Sequence, residues 1–431
     1  MKHVRLLAVI AAAVSMFLST GPAWTQTAAE LEELKKEVKA FQERLERMQR
    51  LIEQQEKALQ VMKDKEKERT TEQAAVPAPK VPSPNETTTV TGISRALNPA
   101  ISVNGLFLGA ATKNPRPGDR ESGLFIQEAE LRVTAFVDPN VKGDLTIAME
   151  QEGTEFKFDL EELYFDLFGL PTALMPEGAS QIEGAFLRLG KKFMPFGRHN
   201  PLHTHQFPFI DKPVVNNRIF GEEALNEVQA LAAYSPPTSI FLEGQVGVMN
   251  GNNDELFNSP RAGDLAGFAR AHTVFDVTSD ATLDLGGSVT WGQNEDLKNN
   301  TVPGGDVTFK MVRGLARWPH SVIWTTEYIA QIMEEGPGVT DTQGGLYSGL
   351  QVQVARNWWI QGRYDIFGVP KFEGNDREWR GTLLATLVPN EFSAIRAQYS
   401  YTDDGAPGVK DVHQFQIQFT YTFGSHPAHL Y

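Results

Sequence analysis

The stretch FQIQFTYTF, Phe415 to Phe423, sets the tightest limit on what this chain can become. Successive side chains point to opposite faces of a strand. Phe415, Ile417, Phe419, Tyr421 and Phe423 therefore make one wholly apolar face, and Gln416, Gln418, Thr420 and Thr422 make a polar face without a charge. Two architectures use such a strand. A soluble sandwich turns the apolar face to a core and the polar face to bulk water. A membrane barrel turns the apolar face to lipid and the polar face to an aqueous lumen. A face in bulk water normally carries Lys and Glu, and this one carries only Gln and Thr.

The N-terminal end narrows the choice. Lys2 and Arg5 precede an apolar run from Leu6 to Leu18, followed by Gly21-Pro22-Ala23. This pattern predicts a secretory signal over residues 1–23, the alternative being a membrane anchor. No later stretch has the apolar length of a spanning helix, so insertion is expected only as a barrel. The chain has no cysteine, which removes disulfides and suits a bacterial envelope protein.

Residues 24–69 are expected to form a coiled coil. Leu31, Leu34, Val38, Phe41, Leu45, Met48, Ile52, Gln55, Leu59 and Met62 repeat with 3-4 spacing, and only Gln55 is polar. So narrow a seam predicts self-association; a lone solvated helix is the alternative. Residues 70–99 are Pro-rich and polar and read as an extended linker.

Residues 100–431 carry 25 basic and 41 acidic groups, a net of −16 within the chain's −14, so no nucleic-acid partner is expected. About sixteen strand-like runs follow one another. They lie near 100–112, 123–138, 141–152, 158–168, 182–192, 226–235, 239–250, 265–277, 281–292, 308–318, 321–333, 346–355, 357–367, 377–388, 391–403 and 411–423. Tight turns at Asp138–Asn140 and Ser235–Thr238 contrast with longer polar segments at Asn250–Asp264 and Gly292–Asp306. Trp291, Trp318, Trp358, Trp379, Tyr399 and Tyr401 stand near strand ends on the apolar face, as at membrane interfaces. The expected fold is an all-β transmembrane barrel of about 16 antiparallel strands, preceded by the coiled coil and the linker.

The segment LRLGKKFMPFGRHN, Leu187 to Asn200, contains Gly190, Pro195, Phe196 and Gly197 in a Gly-x-x-x-x-Pro-Phe-Gly pattern. It resembles the phosphate-selective porin O/P family, and FIQEAELRVTAFVDPNVKGDLTIAMEQE resembles that family's early hairpin. The coiled coil followed by a barrel is also similar to DcaP-like trimeric porins. The resemblance spans roughly residues 100–431 and implies a sixteen-stranded trimeric channel with inward-folded loops. Two features depart from it. GSHPAHLY follows Phe423, where outer-membrane barrels commonly end on an aromatic residue, and the barrel is acidic overall.

Strict alternation assigns the inward charges. Glu128, Glu130, Asp144, Glu150, Glu162 and Asp166 line one wall, with Arg132 among them. Arg188, Lys192, Arg270, Arg313, Arg317, Arg363, Arg380 and Arg396 line the facing wall, opposed by Asp284, Glu327 and Asp365. Opposite walls of opposite sign would impose a transverse field; the alternative is that these residues pair across strands and brace the barrel. The long Pro-rich segment from Met194 to Leu225 is expected to fold into the pore. Within it His199, His203 and His205 lie close together. His203 and His205 either share a metal, with Asp211 as an oxygen ligand, or make ordinary hydrogen bonds.

No Gly-x-Ser-x-Gly, phosphate-loop or His-Glu-x-x-His motif occurs, so neither an enzyme nor a cofactor is expected. The leading expectation is passive diffusion of small hydrophilic solutes through the bacterial outer membrane, by a homotrimer in lipid with its coiled coil in the periplasm. A structural envelope protein is the alternative, and a barrel-embedded hydrolase the distant one.

Overall fold

The alternation seen at Phe415–Phe423 recurs in strand after strand and closes into a ring. The computed structural model describes residues 99–116, 122–152, 155–169, 182–253, 255–261, 263–315, 318–370, 377–403, 405 and 410–424. The predicted signal, coiled coil and linker lie outside these residues, as do Arg317 and the tail after Gly424.

Sixteen strands form the barrel. They are β1 (Ala100–Lys113), β2 (Gly123–Asp138), β3 (Val141–Glu152), β4 (Glu155–Leu167), β5 (Ala185–Phe193), β6 (Asn226–Tyr234), β7 (Phe241–Met249) and β8 (Ala266–Thr278), then β9 (Ala281–Gln293), β10 (Asn299–Leu315), β11 (Trp318–Gly336), β12 (Val339–Ala355), β13 (Trp358–Phe367), β14 (Glu378–Asn390), β15 (Ser393–Asp403) and β16 (Val412–Gly424). Each pairs antiparallel with its neighbours in the chain, and β16 closes on β1 from Ser102 opposite Gly424 to Lys113 opposite His413. Closure leaves no free sheet edge, which lipid would not tolerate.

The faces are inverted relative to a soluble protein. Phe107, Leu131, Phe165, Leu189, Val246, Trp291, Leu350, Ile360, Leu383 and Ile395 are exposed around the outside, while Glu130, Glu162, Arg363 and Asp365 are buried within. In β16, Gln418 is 0% exposed and Phe419 is 51% exposed. No soluble fold gains from exposing its aromatics and burying its charges, so the apolar face is the lipid face. Tyr364, Trp379 and Tyr401 lie ring against ring in a row where β13, β14 and β15 meet one rim, and Trp358 stands at the other. Aromatic rings at both rims suit the two interfaces.

The inner face departs from an open, wet lumen in two ways. Gln416, Gln418, Thr420 and Thr422 are buried in a hydrogen-bonded layer; Gln418 donates to Gln127 and accepts from Arg396. On the side from β6 to β13, the inward residues Leu231, Met249, Phe268, Ile329 and Phe367 are apolar. They pack against Met194, Phe196, Val215, Phe220 and Leu225 of the segment between β5 and β6. That segment, which includes helix α1 (Val214–Phe220), folds inward and packs on β11, β12 and β13.

The expected polar loop at Gly292–Asp306 is corrected. β9 and β10 pair from Gln293 opposite Asn299 through Gly286 opposite Asp306, leaving only a short turn. The run looks loop-like because its inward residues must be small: a methyl on Gly304 would lie 2.6 Å from the Phe196 ring.

Candidate functional site

The inward segment begins where β5 ends. Gly190 has φ +128 and Gly197 φ +58, values that favour glycine, and Phe196 is fully buried against Phe220 at 5.0 Å, edge to face. Asn200 closes the neck. Its amide donates to Met194 O at 2.8 Å and Leu225 O at 3.1 Å, and its own oxygen accepts from the Leu225 N–H at 2.9 Å. Both ends of the loop are thereby held by one side chain that the sequence reading did not single out.

Three groups of wall residues then strap the loop down. At β9 and β11, Arg198 pairs with Asp284 at 3.0 Å, and the N–H groups of Arg198 and His199 point at Glu327 Oε2. At β13 to β15, Asp211 accepts from Arg363 at 3.1 Å, Arg380 at 2.6 Å and Gln398 at 2.7 Å. Arg363 also bonds Asp365 at 2.7 Å, and Arg396 donates to the carbonyls of Phe207 and Pro208. Arg218 of α1 bonds Glu378 at 2.7 Å. At β2 and β4, His203 and His205 enter a nest of carboxylates. His203 Nδ1 lies 3.3 Å from Glu130 and 3.1 Å from Glu161, His203 Nε2 lies 3.3 Å from Glu162, and His205 Nδ1 lies 3.0 Å from Glu130.

Two bulges build that nest. The register of β1 with β2 slips past Gln127, and that of β3 with β4 slips past Glu161. Each slip adds a residue to one strand and re-aims a side chain. Glu161 therefore joins Glu162 inside, where strict alternation would have placed it outside.

Most of the predicted lining charges are neutralised by neighbours. Asp144 takes a two-point bond from Arg132 and Asp166 one from Arg188; Glu162 pairs with Lys192 at 2.7 Å. Arg188 and Lys192 both lie over the Tyr164 ring. Arg270 on β8 reaches Asp306 on β10 at 2.7 Å, across a gap left by Gly286 on β9. Glu150 borders the cavities beside the loop. Arg313 lies on β10.

The expected acidic wall facing an arginine wall is thus revised. The acidic strands β2 to β4 and the arginine strands β13 to β15 are separated by only β16 and β1 in the ring, rather than standing opposite. Strong local pairing screens what field remains. The proposed grouping of His199 and Asp211 with the other histidines also does not form. His199 is buried between Phe207 and Tyr347, where burial and then the Arg363 and Lys212 charges lower its pKa well below the ordinary imidazole value. Burial alone would likewise lower His203, but Glu130, Glu161 and Glu162 outweigh it and raise its pKa well above that value.

Asp211 is the polar hub of the loop. Burial alone would raise its carboxyl, but the Arg363 and Arg380 charges and the Gln398 amide hold it at about 2. An aspartate's ordinary value is about 3.9. The anchor is therefore fully formed above pH of about 4 and is lost only as pH falls through about 2. Asp211→Asn should remove about 1.5–3 kcal/mol of loop docking, a roughly tenfold or greater rise in the open population. Cleavage by added protease within residues 199–224 should rise equally at pH 7 and pH 5. An effect confined to acid pH would refute the assignment.

Space remains on both sides of the loop. One cavity of about 410 Å³ is lined by Glu128, Glu150, Asp211, Lys212, Arg380 and Gln416. Another of about 300 Å³ lies against Arg198, Phe207, Thr308, Lys310, Arg363 and Arg396.

Closure by sixteen antiparallel strands, an apolar outer band and an inward-strapped loop define a porin-like outer-membrane barrel. The comparisons agree on the fold. The chain matches the anion-selective porin from Comamonas acidovorans with a TM-score of 0.51 at 11% identity, over 75% of this chain and 99% of that one. It matches the outer membrane channel DcaP of Acinetobacter baumannii with a TM-score of 0.50 at 12% identity, over 75% and 97%. An uncharacterized protein of Aquifex aeolicus (strain VF5) is 25% identical over 355 residues, 72% of this chain and 71% of that one. No family model matches the sequence, so the resemblance to the phosphate-selective O/P family gains no family-level match.

Proposed function

We propose that this protein is an outer-membrane porin that lets small hydrophilic solutes, anions among them, diffuse passively past its inward loop. The observation that carries the reading is the strapping of that loop across the inside of a closed barrel, with Arg380 and Lys212 bordering a cavity beside it. A channel of this kind selects by width and by the charge at the constriction. Because most wall charges are paired, selectivity rests on the groups that border the cavities, with Lys212 beside the loop favouring anions. The anion selectivity named for the Comamonas porin supports this direction by fold likeness alone. Liposomes containing the purified protein should swell in isotonic solutions of small sugars, and more slowly as sugar size increases. Absence of swelling would favour the structural envelope role instead.

The same reading places residues 1–23 as a removed signal, residues 24–69 as a periplasmic coiled coil, residues 70–99 as a linker and residues 100–431 as the barrel domain, with a trimer as the functional unit. The heptad spacing supports association. Replacing Leu34, Phe41 and Leu45 with Asp should lower the sedimenting mass of the detergent-solubilised protein. An unchanged mass would show that the barrels alone hold the oligomer together.

A further inference from the structure

The carboxylate nest on β2 and β4 gathers four glutamates around two histidines of the loop. Glu128, Glu130, Glu161 and Glu162 converge there, and all four are buried. Lys192 is committed to Glu162, and Asn104 donates to Glu130 Oε1 at 3.3 Å. Glu128 is 1% exposed, and apart from the Thr204 hydroxyl beside it neither of its oxygens has a partner. Glu161, Glu130 and Glu150 repel it, while Lys212 across the shared cavity attracts it. A buried carboxylate aimed into a cluster of like charges is costly unless a cation joins them.

The donors already have coordination spacing. A cation bound at about 2.0–2.2 Å by N and O donors sets those donors roughly 3.0–3.5 Å apart. His203 Nδ1 to Glu130 is 3.3 Å, His203 Nδ1 to Glu161 is 3.1 Å, and His205 Nδ1 to Glu130 is 3.0 Å. Glu128, Glu130 and His205 offer ligand atoms that all lie within 4.8 Å of one another, and so do Glu130, Glu161 and His203. The free side of one ring is also arranged: His203 Nε2 faces Glu162, which Lys192 holds in turn. A metal-bound imidazole is normally oriented by a carboxylate on its other nitrogen.

We infer that Glu128, Glu130 and His205, with Glu161 and His203 sharing Glu130 beside them, form a binding site for one first-row divalent transition cation, which clamps the inner loop to the barrel wall. Two imidazoles with carboxylates and no sulfur suit zinc, iron or nickel better than magnesium or calcium. The two rings reach Glu130, Glu161 and Glu162 but leave Glu128 with Thr204, whereas a shared cation gives it a partner. The cavities bordered by Glu128 and by Glu161 provide a route in. This inference is independent of whether the barrel conducts.

Zinc is the probe. Full-length protein in detergent is stripped with a chelator, exchanged into metal-free buffer at neutral pH, and titrated with Zn²⁺ against a chromophoric competitor. The expected result is one zinc per chain. Glu128→Gln should weaken binding by at least ~10-fold, and His203→Gln with His205→Gln by at least ~100-fold. Folding is checked by the heat-dependent shift of the barrel in SDS; should the double histidine variant fail to fold, Glu128→Gln decides the question. Wild-type protein that takes up no zinc overturns the inference. So does zinc bound with equal strength by wild type and Glu128→Gln, since the metal would then lie elsewhere.

Discussion

Replacing Arg363 with methionine should release the inner loop and destabilise the protein by about 3–5 kcal/mol. Arg363 is buried, holds Asp365 through Nε and Asp211 through Nη2, and lies over the Phe209 ring at 4.8 Å. Methionine fills much of its volume but leaves two carboxylates in a poorly hydrated place. Asp365 then keeps the Val214 N–H, and Asp211 keeps Arg380 and Gln398. Breaking one side of a buried ion pair is costly because the remaining charge has lost its compensation. Protease should cut the variant between residues 199 and 224 under conditions that spare wild type. Arg363→Lys should fall between the two, since it keeps the charge but not the two-point fork. A methionine variant as resistant as wild type would mean that the β13–β15 anchor does not hold the loop.

Gly197→Val should have an effect of similar size by a different route. The backbone there is left-handed, which costs a residue with a side chain about 1–2 kcal/mol. The added carbon would also lie 2.5 Å from the carboxyl carbon of Glu327. Glu327 must then move away from the Arg198 and His199 N–H groups, and the Gly197 N–H loses its fixed distance of 3.2 Å to Ser288. Gly336→Ala is the matched control, because nothing lies within 4 Å of the methyl it would introduce. The temperature at which the folded barrel band disappears in SDS should drop for Gly197→Val and stay put for Gly336→Ala. Equal behaviour of the two would remove the close approach at Gly197 from the account.

What the sequence disclosed follows from what a period of two can carry. It placed Phe419 outside and Gln418 inside, and it turned Arg363, Arg380 and Arg396 inward, because the register around those residues runs without a shift. It missed Glu161 and Gln127, since one bulged residue in each strand shifts the alternation without leaving a compositional mark. It could not give the ion pairs, which depend on register between strands: Arg270 finds Asp306 two strands away only because Gly286 leaves the gap. The dry sector was hidden for a related reason. Leu231, Phe268 and Ile329 face inward against the loop, and a rule that expects a wet lumen has no place for them. The Pro-Phe-Gly segment and the His203–His205 pair were local signals of the site, and the first makes the turn that carries the chain inside.

Water and ions are proposed to pass through this barrel beside its strapped loop. Recording single channels of the purified protein in a planar bilayer under a salt gradient tests it most directly. Wild type should give discrete conductance steps with a reversal potential on the anion side. Lys212→Gln, which removes a charge bordering the larger cavity, should move that potential toward cations. A bilayer that holds folded protein yet stays silent at every voltage would contradict the account.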